Sequence, residues 1–166
     1  MTSSVHNASP DLILDCLGVY DPDKDSYHLG THPTNMYNTA HDKHLPGIFG
    51  HVRHWIMGRG FKRREPLVMI LCYCRSGNHR SVAVAEILYY CLSKAGFTVA
   101  LPDHLAKIHW WRKCGGKGPC YRCDPKRLEN TSWELANRDS LAFSYSVYLE
   151  ADGPVVKTTP YELECR

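Results

Sequence analysis

The chain has 166 residues, 43% hydrophobic and 22% charged, with a formal net charge of +3. That is the size of one domain able to enclose a core, and the composition excludes a disordered chain or a fibrous repeat. No apolar run approaches the roughly 20 residues that span a bilayer, and Met1 to Pro10 lacks a charged-then-apolar signal pattern, so the expectation is a cytoplasmic protein with no membrane partner.

The net charge alone does not imply a nucleic-acid partner. In a reducing interior the eight cysteines are expected to serve as thiols, metal ligands or a catalytic thiolate rather than disulfides.

In chain order, Leu12 to Cys16 is a short apolar run that predicts a first buried strand. Gly18 to Gly47 is rich in Asp, His, Pro, Asn and Thr without a steady period, which predicts a long irregular connection of the kind that often carries function. Ile48, Val52, Trp55 and Ile56 fall at helical spacing before Gly58 and Gly60 and predict a crossover helix. Pro66 to Tyr73 is an unbroken apolar run, as in a parallel strand covered on both faces. From Arg80 the positions Val82, Ala85, Leu88, Cys91 and Leu92 recur as in a helix that Gly96 stops. Phe97 to Leu101 reads as a further strand. Beyond Pro102 comes a Cys-, Trp- and Lys/Arg-rich insert over 108–127, then a helix carrying Leu135 and Leu141 and a strand at Ser144 to Leu149. The expected fold is a single α/β domain over 1–166, a three-layer sandwich with a mostly parallel sheet.

Between the second strand and its helix lies Cys74-Arg75-Ser76-Gly77-Asn78-His79-Arg80-Ser81. A phosphate dianion needs donors converging from one side, and the amides of a tight turn at a helix N-terminus supply them. Gly77 permits the turn, Arg80 offers a planar fork for two oxygens, and Ser81 can cap the helix or touch the ligand. Cys74 then sits at the bottom of the cup, where its thiol should ionise more readily than a free one.

In Cys74, Gly77, His79, Arg80 and Ser81, continuing into Val82 and Ala85-Glu86, the loop resembles that of the C-terminal domain of the RNase adapter protein RapZ. Asp15, Val19 and Pro22 resemble that family's first-strand pattern, Gly96 to Val99 its next strand and His104 to Lys107 its closing basic segment, so the likeness runs over about residues 11–107. The resemblance implies binding of an amino-sugar phosphate or nucleotide for sensing or regulation, with a link to RNA.

The Cys-x5-Arg-Ser spacing is also similar to that of cysteine-dependent protein phosphatases, where the thiolate attacks phosphorus and the arginine stabilises the transition state. In that alternative Cys74 is the nucleophile and Arg80 the stabiliser, Tyr73 stands where those enzymes carry His, and Asp103 or Asp124 would be the general acid.

A second constellation is His109, Cys114, Cys120 and Cys123, with Gly115, Gly116 and Gly118 allowing tight turns. Cys120-x-x-Cys123 has zinc-knuckle spacing, and His109 is the nearest fourth ligand, with His104, Cys165 and Cys16 as alternatives. His28, His32, His41 and His44 share no ligand spacing and read as a polar loop near the pocket mouth. In the insert, Lys107, Arg112, Lys113, Lys117, Arg122, Lys126 and Arg127 alternate with Trp110, Trp111 and Tyr121, a pattern that suits single-stranded RNA and equally suits tryptophans packed inward beneath solvated charges. The oligomeric state stays open, a homo-oligomer included.

Overall fold

The computed structural model describes residues 9–20, 27–60, 68–123 and 131–151. Strand β1 (Leu12–Asp15) alternates buried and exposed positions and pairs in parallel with β2 (Ile70–Tyr73), Leu12 opposite Ile70 and Asp15 opposite Tyr73. Between them run α1 (Pro33–Ala40) and α2 (Leu45–Trp55), the latter continuing as a π-helical turn over Ile56–Gly60. After β2 come α3 (Arg80–Lys94), a 3-10 helix over Leu105–Arg112 and α4 (Thr131–Glu150).

The expected parallel pair and the helix after the loop are in place, and the architecture is α/β. The wider sheet of a three-layer sandwich is not: among the described residues the sheet has two strands. Phe97 to Leu101 joins no ladder. Gly96, at φ 92°, ends α3 with Gly96 N–H on the Ser93 carbonyl and Phe97 N–H on the Leu92 carbonyl, a left-handed cap that turns the chain away. Phe97 and Val99 then pack on the core, and a cavity of about 570 Å³ lies where β2 and the Pro102 to Ala106 segment face each other.

Two further expectations are corrected. The polar connection from Gly18 to Gly47 contains α1 and the start of α2; Pro33 presets the first turn of α1, and the His32 ring accepts from the Thr34 amide at 3.3 Å. The helix-then-strand expected at the end is one continuous helix. Its buried stripe is Asn137, Ser140, Leu141, Ser144 and Tyr148, at helical spacing but mostly polar. Ser144 Oγ donates to the Ser140 carbonyl at 2.8 Å and the Asn137 amide nitrogen to the Trp133 carbonyl at 3.0 Å, so both donors find acceptors within the helix, while Asn137 Oδ1 is buried without a partner.

One core joins the elements: Leu12 and Leu14 from β1, Met36 from α1, Phe49 and Val52 from α2, and the apolar face of α3 are all buried in it. Helix α4 packs across α1, α2 and α3. Its C-terminal carbonyls are held by Arg53, whose Nη1 donates to Tyr148 O at 3.1 Å and Leu149 O at 2.8 Å, as a cation should at a negative helix end. No described helix is long and apolar enough to cross a membrane.

Phe49 is fully buried and meets Tyr148 edge-on at 5.4 Å. Phe49→Ala should cost about 3 to 5 kcal/mol, read as a lower urea midpoint; an unchanged midpoint would place the core elsewhere.

Candidate functional site

The turn after β2 is shaped by what surrounds it. Gly77 adopts φ 64°, and a Cβ there would stand 2.8 Å from the Ala106 methyl, so both backbone angle and space demand glycine. On the other side the chain at Gly30 lies directly on the loop: Gly30 N–H donates to Asn78 O at 2.9 Å, and any side chain at Gly30 would collide with the His79 carbonyl. His79 is buried with its Nε2 3.2 Å from Lys113 Nζ.

Within this frame donors converge on one atom. Half-burial pushes the Cys74 thiol up, but the Ser81 hydroxyl, 3.1 Å from Sγ, and the backbone N–H groups of Ser81, Gly77 and Ser76 outweigh it and bring it below the ordinary range. The structure thus brings together Cys74, Ser76, Gly77 and Ser81. Arg75 and the Ser76 side chain are exposed. Arg80 begins α3 and reaches across to the loop after β1, where Nη1 donates to Leu17 O at 2.7 Å. That loop is itself fixed by Asp15, whose carboxylate accepts the Leu17 amide at 2.7 Å.

The 570 Å³ cavity is lined by Cys74, Gly77 and Ser81 together with Asp103, His104 and Ala106. Asp103 is exposed on its rim and Asp124 lies outside the described residues. His104 Nε2 is 2.8 Å from Glu86 Oε1, with both side chains about nine-tenths shielded from solvent (12% and 10% exposed). This pair was not foreseen as part of the site, although a carboxylate placed between Ala85 and Ile87 on an otherwise apolar helix signals a partner.

A second site has formed beside the first. His28, Cys114, Cys120 and Cys123 offer ligand atoms all within 4.8 Å of one another, a group that could hold a metal ion. His28 Nδ1 is 3.5 Å from the sulfurs of Cys114 and Cys123 and 3.6 Å from that of Cys120, and Cys114 and Cys123 are 3.6 Å apart. Tetrahedral coordination with metal–sulfur and metal–nitrogen bonds of about 2.3 and 2.05 Å gives ligand–ligand edges of about 3.6 to 3.8 Å, so these spacings suit one small ion. Cys114 is the only non-glycine residue at positive φ among the described residues, 56°, and Gly115, Gly116 and Gly118 follow it in left-handed turns.

The expected ligand His109 is corrected to His28. His109 is exposed on the 3-10 helix, where its neighbour Trp110 takes the buried position. His28 arrives from before α1, drawn in by the Cys114 N–H bond to Tyr27 O at 2.8 Å. The other loop histidines are structural: His32 stacks on His28 at 4.2 Å, His41 on Phe143 at 4.2 Å, and His44 pairs with Asp42 at 2.9 Å. Of the expected stacking residues, Trp110 is buried, while Trp111 and Tyr121 are exposed with Arg112 and Arg122 over their rings. Cys16 lies in the main core, His104 faces Glu86, and Cys165 lies outside the described residues.

Comparison with protein-family models, curated proteins and solved structures finds no match for this chain.

Two outcomes are expected. Alkylation of Cys74 by iodoacetamide, followed by peptide mass mapping, should have its pH midpoint below the about 8.5 of a free thiol, and Ser81→Ala should raise it; an unshifted parent midpoint would deny the converging donors. His28→Ala should weaken metal retention by elemental analysis while His109→Ala leaves it unchanged, and the reverse result would restore the sequence-based assignment.

Proposed function

We propose that this chain binds a phosphorylated small molecule, an amino-sugar phosphate or a nucleotide, at the Cys74 to Ser81 loop as a sensing or regulatory module, and that the ion held by His28, Cys114, Cys120 and Cys123 is zinc. The observation that carries the first part is the convergence of the Ser76, Gly77 and Ser81 amides and the Ser81 hydroxyl on one point. Amides gathered at a tight turn beside a helix N-terminus are the groups that receive oxyanions. The resemblance of Cys74, Gly77, His79, Arg80 and Ser81 to the RapZ C-terminal loop supports the same reading. Met69, Leu71, Val82 and Leu105 make the adjoining cavity largely apolar, which suits a flat base better than a hydroxyl-rich sugar. Three thiolates and one imidazole are the donor set of closed zinc sites. The exposed Trp111 and Tyr121, each beneath a guanidinium, are the groups through which RNA would be met.

A second reading, a cysteine-dependent phosphatase, is favoured by one observation: Asp103 lines the same cavity as Cys74. There the Cys74 thiolate would displace the alcohol from phosphorus while Asp103 gives it a proton, and water would then release phosphate from sulfur.

Calorimetric titration tests the binding reading with inorganic phosphate, a nucleotide and an amino-sugar phosphate. Arg80→Ala should weaken phosphate binding by about 1.5 to 3 kcal/mol for each charged hydrogen bond lost, tenfold or more in Kd, and Arg80→Lys should recover part of it; equal binding by parent and alanine variant would remove the phosphate from this loop. The parent should hydrolyse an aryl phosphate no faster than Cys74→Ser. Cys74-dependent turnover that also falls in Asp103→Asn would establish the phosphatase instead.

A further inference from the structure

The two sites share their supports. Both sides of the metal group, the segment carrying His28 and the insert carrying the cysteines, make polar contacts with the loop. From the His28 side, Gly30 donates to the Asn78 carbonyl at 2.9 Å and packs too closely on the His79 carbonyl and the Ala83 amide to accept a side chain. From the insert, Lys113, adjacent to Cys114, places Nζ 3.2 Å from His79 Nε2. Among the described residues the two sides also meet where Thr31 Oγ1 donates to the Cys123 carbonyl and Cys114 N–H to Tyr27 O, and where Leu29 joins Trp110 and Cys123, with Val82 of α3, in a small cluster separate from the main core. Contacts between His28 and the thiols at 3.5 to 3.6 Å are weak without an ion. With an ion they become four coordinate bonds across this seam.

We propose that metal occupancy at His28, Cys114, Cys120 and Cys123 regulates the phosphate loop, tightening anion binding by clamping Gly30 against Asn78 and Lys113 against His79. This rests on the reading of the loop as a phosphate site and adds to it a second ligand that controls it. Four protein ligands leave zinc no open position, so its effect passes through the chain and not through a zinc–phosphate bond. Holding Asn78 and His79 from both sides limits the conformations of the turn that presents the Gly77 and Ser81 amides, and a turn that is more often competent binds with higher apparent affinity. Because the coupling is a free energy between two sites, phosphate must strengthen zinc binding by the same factor.

The test uses the full chain loaded with one equivalent of zinc and freed of excess metal, titrated with inorganic phosphate before and after the metal is removed by a chelator that is then dialysed away. The phosphate Kd should rise about tenfold on removal, within the usual range for coupled sites. Saturating phosphate should lower the zinc Kd by the same factor, read by competition with a chromophoric chelator. The far-UV circular dichroism should be retained, and His28→Cys, which preserves four ligands, should keep both zinc and phosphate binding. An unchanged phosphate Kd after zinc removal overturns the coupling and leaves the phosphate site standing. Zinc-loaded protein that does not bind phosphate overturns the coupling and the phosphate reading together. Loss of the helical signal on zinc removal overturns it in favour of a metal that holds up the whole fold, and failure to bind zinc overturns it at the first step.

Discussion

A backbone N–H can be aimed only by fixing the residues on either side of it, and three of them here, at Ser76, Gly77 and Ser81, favour the thiolate of a single sulfur. Most of the molecule serves that constraint. The parallel β1–β2 pair delivers Cys74 at its carboxyl edge; α3 starts at Arg80, so that its first turn supplies the Ser81 amide and hydroxyl; and Ala106 closes the space beside Gly77 so that the turn keeps its left-handed angle. A cup made of main-chain groups is insensitive to many side-chain changes but sensitive to anything that moves the backbone. The bare Gly30 segment lying on Asn78 and His79 is therefore as much a part of the site as the residues within the loop.

Elements whose signal is local were legible in the sequence. The first strand, the helical period after Arg80 and the glycine stop at Gly96 stand where the sequence put them, whereas β2 takes up only Ile70–Tyr73 of the expected Pro66 to Tyr73 run and is half-buried. What failed was written in polar residues. The buried face of α1 is Asn35, Met36, Thr39 and Ala40, and that of α4 rests on Asn137, Ser140 and Ser144. A hydrophobicity pattern cannot see a core face built from hydroxyls and amides whose donors, as at Ser144 and Asn137, turn back onto the preceding turn. Tyr145, Val147 and Leu149 even alternate with polar neighbours as in a strand, yet the residues buried there are Ser144 and Tyr148, one helical turn apart. Phe97 to Leu101 misled in the opposite sense: Phe97 and Val99 pack on the core without entering a ladder, and Leu101 is exposed.

The metal group shows the same division. Cys114, Cys120 and Cys123 were readable because they lie within one short, glycine-rich stretch, and the structure brings all three together. Their partner was not, since proximity in sequence favoured His109 and the fold turned that residue outward. His28 could have been found only from its surroundings: a histidine followed by Leu29-Gly30-Thr31, a segment buried throughout and hence packed against something specific. Glu86 and His104 are a comparable pair: the sequence hints that Glu86 has a partner but not that the partner is His104.

The separation of these partners along the chain bears on the order in which the molecule assembles. Arg80 meets a carbonyl 63 residues before it, and His28 lies 86 residues from Cys114 and 95 from Cys123. Contacts of such span form only after a large loop has closed, which is slow compared with winding a helix. A chain growing from its N-terminus carries the imidazole of His28 through the synthesis of β2 and α3 before the three sulfurs arrive. The cup after β2 is therefore enclosed from one side early and from the other late, so a nascent chain that has already made its parallel pair still lacks the insert that will rest on His79.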